Sequence, residues 1–509
     1  MMDSNPSTVS EKDLRKLKRE KLAKLISMGV EPYKYRFTVT CSIADVKRKY
    51  ADVTHEKTKE KVTVAGRIMG IRIHGKAGFA DVLGQDDRIQ AYFRMNDLGE
   101  HKFEIFKLLE IGDIIGLTGP VFRTKMGEVT IWVEEFELLT KCLLPFPEKY
   151  HGLQNLELRY RQRYLDLIVN PEVRKTFIMR SRIISYIRSW LDKRGYLEVE
   201  TPILQPIYGG ALARPFVTHH NYLDMDLYLR IAPELYLKRI SVGGLEKIYE
   251  IGKNFRNEDI DAQHNPEYTS LELYELYSDY YGMMNLTENL VCDTIKELIG
   301  DFRLPFGDKT IDFTPPWKRM TMADAIAEYG KVEVRKKTKE EIYDIAVDLG
   351  VPEITSEMSK GELIGEIFDF VAQKHLVNPT FILNHPADIS PLARRLKEDP
   401  DFSERFELFI NGWEIANAFT ELTDPDQQLQ NFNCQAEMRA RGNEEAHPLD
   451  MDFITALECG LAPTGGLGIG IDRLIMLLTN SLSIKDVIFF PQMRQTQEVM
   501  PGECKRDEN

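Results

Sequence analysis

Apolar and polar positions divide the chain into stretches of different period. Residues 11–26, EKDLRKLKREKLAKLI, set leucines at 14, 17, 22 and 25 among seven basic and three acidic side chains. That spacing predicts a short basic amphipathic helix, with a solvated surface helix favoured over one that touches RNA. From Val62 to Leu139 the period falls to two. VTVAGRIMGIRI, GFADVLG, RIQAYFR, DIIGLTGPVFRT and EVTIWVEEFELL alternate between Gly-containing turns, so five strands are expected, enough for a small closed barrel. LLPFPEKYHGL, rich in Pro and Gly, reads as a linker. Pro171–Lys193 is one long helical pattern ending at Gly195, and an extended YLEVETPIL follows. Residues 248–258 and 270–280 read as two strands joined by EDIDAQHNPEYT, and 320–400 as mostly helical. Strands resume at ELFI and WEIANAF before a glycine-rich strand and a final helix. The expected division is a basic helix and lead-in over 1–60, a barrel over 61–142, a linker over 143–155, and a larger α+β domain over 156–509 with a helical insertion at about 320–395.

Composition narrows the class. A chain of 509 residues, 43% hydrophobic, can bury more than one core. Charged residues are 29% of the chain and the net charge is -14, which lowers the expectation of a nucleic-acid partner without closing it, because a local patch decides binding. The six cysteines form no CxxC pair, so neither a zinc site nor a disulfide framework is expected. No stretch approaches the roughly 20 apolar residues of a membrane helix, and the first residues lack a secretory pattern. The expectation is a soluble cytoplasmic protein with no membrane partner.

Three segments carry candidate chemistry. In IYEIGKNFRNE, strand alternation puts Glu250, Gly252, Asn254, Arg256 and Glu258 on one face. In SLELYELY, Glu272 and Tyr274 share a face opposite Leu271 and Leu273. Such a face resembles a site more than a solvated surface, although solvated faces are common in antiparallel sheets. In ELFINGWEIANAFTELTD, Asn411-Gly412 signals a two-residue hairpin that sets Phe409 against Glu414. Glu407 and Glu414 then project together, as a magnesium site or as two exposed acids; Asn417, Phe419 and Glu421 continue the alternation. In APTGGLGIGIDRLIMLL, Gly466, Gly468 and Gly470 leave one strand face bare, where a ring or ribose could lie against the backbone. Asp472 and Arg473 open the following helix.

Taken together, these segments resemble the class II aminoacyl-tRNA synthetases, with the three class motifs in order. Helix 173–193 with YLEVETPIL is similar to motif 1, the dimer-forming element. IYEIGKNFRNE with HNPEYTSLELY is similar to motif 2, and GLGIGIDR to motif 3. The preceding oligonucleotide-binding barrel points to the subclass for lysine, aspartate and asparagine, and YGGALARPF and LYLRIAPELYLKR are similar to its lysine members. The resemblance implies an ATP-dependent, AMP-forming ligase working as a homodimer with Mg2+ and tRNA. It places Arg256 between the lysine carboxylate and the α-phosphate, and Arg473 on the far phosphate; these are the two catalytic candidates. ATP contacts are further implied for Glu258 (adenine amino group), Tyr268 (adenine stacking), His264, Asn265, Glu407, Leu408, Gly470 and Asp472. Lysine contacts are implied for Gly210, Glu234, Glu272, Tyr274, Asn417, Phe419, Glu421 and Gly468, with Glu234 and Glu421 around the side-chain ammonium. Magnesium falls to Glu407 and Glu414. In the barrel, the resemblance puts Phe79 in stacking and Gln90 in hydrogen-bonding reach of an anticodon base, against a reading of Phe79 as a core ring. Phe419 stands where some lysine enzymes have Tyr, and Leu467 where many have Trp.

Two alternatives stay open on the residues alone. An aspartate or asparagine enzyme is disfavoured because aspartate requires a cation in the pocket rather than Glu234 and Glu421. A non-catalytic RNA-binding scaffold predicts decay at Arg256, Glu258, Glu407, Glu414 or Arg473, and all five are present.

Overall fold

The computed structural model describes residues 11–85, 87–146, 153–440 and 448–494. They fall into two compact units. One runs through Asn155 and includes Ile168–Asn170; the other holds Leu156–Leu167 and the described residues from Pro171 onward.

In the first unit, strands β1 (Lys61–His74), β2 (Ala77–Leu83), β3 (Arg88–Arg94), β4 (Ile114–Arg123), β5 (Val129–Trp132) and β6 (Glu135–Thr140) run in the order β1-β2-β3-β5-β4-β6. A further β1–β4 pairing closes the barrel. The run expected as a single last strand is two: β5 pairs with β3 and β4, and after Val133 and Glu134 β6 returns along β4. Alternation turns Val64, Ile68, Ala80, Val82, Ala91 and Ile131 into the core. Two helices not expected from the sequence, Met95–Leu98 and Glu100–Leu108, follow β3, and Phe106 of the second stacks on Phe93 at 4.0 Å. The basic helix forms at Glu11–Ser27. Of its leucines, Leu25 is fully buried while Leu14 and Leu17 stay exposed, and Lys21 pairs with Glu110.

The second unit is organised by an eight-stranded sheet. Its strands are β7 (Leu197–Glu198), β8 (Lys247–Phe255), β9 (Glu267–Leu276), β10 (Lys318–Thr321), β11 (Thr380–Leu383), β12 (Arg405–Ile410), β13 (Trp413–Thr420) and β14 (Thr464–Gly470). The order is β10-β11-β12-β13-β14-β9-β8-β7, antiparallel through the centre and parallel only in the edge pairs β10–β11 and β7–β8. One face is apolar: Leu271, Leu273, Leu408, Ala418, Leu467 and Ile469 pack under helices Pro171–Asp192, Tyr280–Leu298 and Ile471–Leu478. The polar residues of the same strands are thereby turned to the opposite face.

Three details depart from the sequence expectation. β9 stops at Leu276 because Tyr277 adopts a positive φ of 61° and Asp279 caps the next helix. Residues 320–395 are not wholly helical: Met322–Gly330, Lys339–Leu349 and Lys360–Val371 pack around their own core, but β11 returns to the main sheet. Its four residues, TFIL, are all buried, and so short an apolar run carries no period to mark it as a strand.

The third is a bulge. Phe409 opposes Glu414 across the hairpin as expected, yet Leu408 opposes Ala416, leaving Ile415 as the extra residue. Glu414 is an even position, whereas Asn417, Phe419 and Glu421 are odd. The bulge shifts the phase by one residue and brings all four to one face.

Candidate active site

The polar face of β8, β9, β12, β13 and β14 forms the wall of a cavity of about 420 Å³. Gly210, Glu234, Arg256, Glu258, His264, Asn265, Tyr268, Glu272, Tyr274, Glu407, Glu414, Asn417, Phe419, Glu421, Gly468, Gly470, Asp472 and Arg473 all line it, so sequence positions more than 260 residues apart converge. Leu408 is the correction. Period-two alternation turns its side chain away from Glu407 and into the core, where it is fully buried.

The glycine stripe is the floor. A Cβ built on Gly468 or Gly470 would meet its nearest neighbours at 3.7 Å, an ordinary contact, so protein packing does not demand glycine at either position. A side chain there would instead take up cavity space. At Gly466 the demand is real, since a Cβ would collide with the Glu421 carboxylate and the Tyr274 ring. Gly210, at φ 88°, needs a left-handed backbone, and a Cβ there would press on Glu234 at 2.8 Å.

Charge is distributed in two groups. At one end Glu234 and Glu421 are buried beside Tyr274, and Glu272 stands across the strand pairing from Gly468. Burial, reinforced by Glu234, pushes the Glu272 carboxyl up to about 8. Burial likewise pushes Glu421 up to about 8, with Lys238 opposing and Glu234 and Glu272 adding to the rise. The Glu421 oxygens differ: Oε2 is in contact with the Lys238 ammonium, whereas Oε1 is buried without a hydrogen-bond partner, an acceptor position left open. Tyr274 is raised well above its ordinary value by burial and by the acids around it.

At the other end Arg256 follows β8. Burial works against its charge, but Tyr268, Glu414, Glu258 and Glu272 hold it protonated; its guanidinium lies 5.3 Å from the Tyr268 ring centre, and its Nε is buried without a partner. Arg473 donates to the Glu414 carbonyl oxygen at 2.8 Å and meets His264 Nε2 at 2.8 Å, while His264 Nδ1 lies 2.8 Å from Asp261. Burial and Glu407 raise the Glu414 carboxyl, against Arg473, Arg405 and Arg256.

Two nucleotide-site candidates are already engaged. Asp472 pairs with Arg180 and accepts from the Thr269 amide at 2.7 Å, and the Asn265 side chain donates to the Glu267 carbonyl at 2.6 Å and accepts from the Gln492 amide. Both shape the wall with their polar groups spent.

Glu407 and Glu414 offer hard carboxylate oxygens. Among the described residues no group of three or more His, Cys, Asp or Glu gathers as a metal cage. The donor set fits magnesium, which takes one or two carboxylates and fills its remaining positions with phosphate oxygens and water.

Strand reasoning missed two cations. Lys238, fully buried on helix Glu234–Val242, lies 2.7 Å from Glu234 and in contact with Glu421. The Glu-to-Lys spacing of four in PELYLK, which faces the pair together on a helix, was the available signal. Arg405 lies two residues before Glu407 on the same strand face. It donates to Glu407 at 2.6 Å, Asn417 at 3.0 Å, the Ser390 hydroxyl at 2.9 Å and the Ile389 carbonyl at 3.1 Å, joining β12 and β13 to the loop that covers the cavity.

In the barrel, Phe79 is absent from the core and lies on the outer face, paired in register with Tyr92. The Phe79 and Tyr92 rings are 4.8 Å apart, Tyr92 and Trp132 4.8 Å, and Phe122 and Trp132 5.3 Å. Gln90 is two residues from Tyr92 on the same face, its amide oxygen accepting from Thr130 at 3.1 Å.

Comparison with known proteins gives two family matches: tRNA synthetases class II (D, K and N) over residues 155–494, and OB-fold nucleic acid binding domain over residues 62–139. A protein of Thermoanaerobacter pseudethanolicus named lysine--tRNA ligase is 54% identical over 484 residues, covering 95% of this chain and 96% of the relative. Proteins of the same name from Bacillus subtilis and Methanoculleus marisnigri are 52% and 50% identical, each over 487 residues; the alignments cover 95% and 96% of this chain and 97% and 95% of the relatives.

Proposed function

We propose, from the premise that this chain belongs to the class II tRNA synthetases of the D, K and N group, that it is an ATP-dependent lysine–tRNA ligase. It activates L-lysine to lysyl-adenylate and transfers the lysyl group to the 3' end of its tRNA. The observation that carries the choice of lysine is the acidic end of the cavity. Glu421 Oε1 is buried without a hydrogen-bond partner, beside Tyr274 and near Glu234, an acidic position that favours a cation. Aspartate or asparagine would meet that end with a carboxylate or a neutral amide.

In the first step a lysine carboxylate oxygen attacks the α-phosphorus, and pyrophosphate leaves. Two anions have to approach, and the guanidinium of Arg256, which lines the cavity, neutralises both as charge develops. Glu258 receives the adenine amino group, Tyr268 stacks on the ring, and the bare faces of Gly468 and Gly470 let ligand lie against the strand. Arg473 and His264 take the outer phosphates. Glu407 and Glu414 would hold magnesium, which supplies positive charge to the phosphate oxygens. Gly210, Glu272 and Asn417 orient the α-amino and carboxylate groups, and Phe419 packs along the side chain. In the second step the terminal ribose hydroxyl attacks the lysyl carbonyl, loses its proton, and AMP departs. No protein nucleophile takes part; positioning and electrostatics do the work.

The barrel's outer face, through Phe79 and Gln90, reads the anticodon. The working form is a cytoplasmic homodimer, supported by exposed Leu197, Ile203, Leu204 and Ile207 following the long helix. No helix among the described residues is long and apolar enough to cross a membrane.

ATP–pyrophosphate exchange with magnesium and each of the twenty amino acids in turn tests this reading. Exchange with lysine alone is expected. Exchange with aspartate or asparagine would overturn the pocket assignment, and exchange with none would favour a scaffold.

A further inference from the structure

The acidic end of the cavity already contains an ammonium. Lys238 is fully buried, and its Nζ sits 2.7 Å from Glu234 Oε1 and in direct contact with Glu421 Oε2. The rings of Phe419 and Phe453, 5.3 and 5.9 Å from Nζ, wall it in. The two Glu421 oxygens thus have different surroundings: Oε2 meets Lys238, whereas Oε1 lies over the bare face of Gly466 beside Tyr274.

We propose that Lys238 is a specificity-determining residue, a built-in cation that offsets one of the two carboxylates at the pocket end and leaves the other for the ammonium of the substrate. This rests on the lysine reading above. Two carboxyl groups reaching for one point inside apolar walls repel, and the Lys238 ammonium between them offsets that repulsion. It takes Glu234 Oε1 and Glu421 Oε2 and leaves Glu421 Oε1 without an internal partner, the one position open to an added cation. The fixed ammonium also occupies the space between the acids, so the substrate cation is confined to the Oε1 side, at a set distance from Arg256. Lys238 acts through Glu234 and Glu421 and is a positioning residue for them.

The test uses the full-length protein and two variants in ATP–pyrophosphate exchange. Lys238→Gln keeps a hydrogen-bond donor near Glu234 but removes the charge. Its lysine KM is expected to rise about tenfold or more, as for a buried pair that loses one partner, while its ATP KM stays within about threefold of the wild-type value. Lys238→Ala removes a fragment the shape of propylammonium, and added propylammonium is expected to restore lysine-dependent exchange where 1-propanol does not. A packing role alone would not distinguish the two additives. An unchanged lysine KM in Lys238→Gln, a parallel rise in both KM values, equal rescue by propanol, or inactivity of both variants under all conditions would each overturn the proposal. Wild-type exchange with lysine is the separate arm: its absence would sink the lysine reading itself, and its presence beside a negative variant result would sink only the role of Lys238.

Discussion

The outer face of the barrel and the cavity of the larger unit are both built on alternate residues of strands, yet they are stabilised in opposite ways. On the barrel, Phe79, Tyr92, Trp132 and Phe122 lean on one another at 4.8 to 5.3 Å, and rings that lie half in solvent need no further partner. In the cavity the acids are held by cations, Glu234 and Glu421 by Lys238 and Glu407 by Arg405, while Arg473 donates to the His264 ring. A stacking face tolerates change because any flat base has a π-face. A buried charge network does not, because each member removed leaves another unpaired. The two surfaces should therefore fail differently, and the sharpest contrast lies at the groups the network leaves unmatched.

Arg256 is first among these. Its Nε lacks a partner, so Arg256→Ala removes no internal hydrogen bond at that atom but strips the cavity of the cation facing the reaction. The expected loss in the rate of adenylate formation is about 10²–10³-fold, the usual cost of one preorganised electrostatic donor, measured by single-turnover formation of lysyl-adenylate. A loss under about threefold would remove Arg256 from the chemistry. Glu421→Gln comes next. Glu421 Oε1 has no internal partner while Oε2 meets Lys238, so replacing the acid by an amide should raise the lysine KM by about tenfold or more while sparing that for ATP. Equal effects on both substrates in steady-state exchange would turn the pocket assignment into a general defect.

How much of this contrast the sequence carried follows from the periods involved. Glu272 with Tyr274, and the glycines at 466, 468 and 470, were legible because alternation is a local property of an uninterrupted strand. Alternation from Glu414 does not reach Asn417, Phe419 and Glu421, which are out of phase with it; the bulge at Ile415 restores the phase, and nothing in WEIANAF announces one. Leu408, a neighbour of Glu407 in sequence, lies on the other face of the strand, in the core. β11 is hidden in sequence within the helical stretch, since TFIL is too short and too apolar to show a period. Lys238 and Arg405 are hard to read from sequence for a different reason. Each side chain reaches across to elements distant in sequence, and only Lys238 to Glu234 left a local mark, the helical spacing of four.

Phe79→Ala is the mildest perturbation and the best probe of the barrel. The ring is outside the core and its closest aromatic neighbour is Tyr92, so truncation leaves Ala80 and Val82 packed as before. Stacking of one base on one ring contributes about 1–3 kcal/mol, and the expected result is a tRNA KM raised by a corresponding factor. ATP–pyrophosphate exchange, which needs no tRNA, should be unchanged within about twofold, because π-stacking on the barrel contributes nothing to charge in the cavity. A fall in both activities, with a lowered melting temperature, would mean that Phe79 stabilises the barrel rather than reading a base. Normal charging with normal exchange would shift the stacking role to Tyr92, Phe122 or Trp132, which continue the same aromatic face.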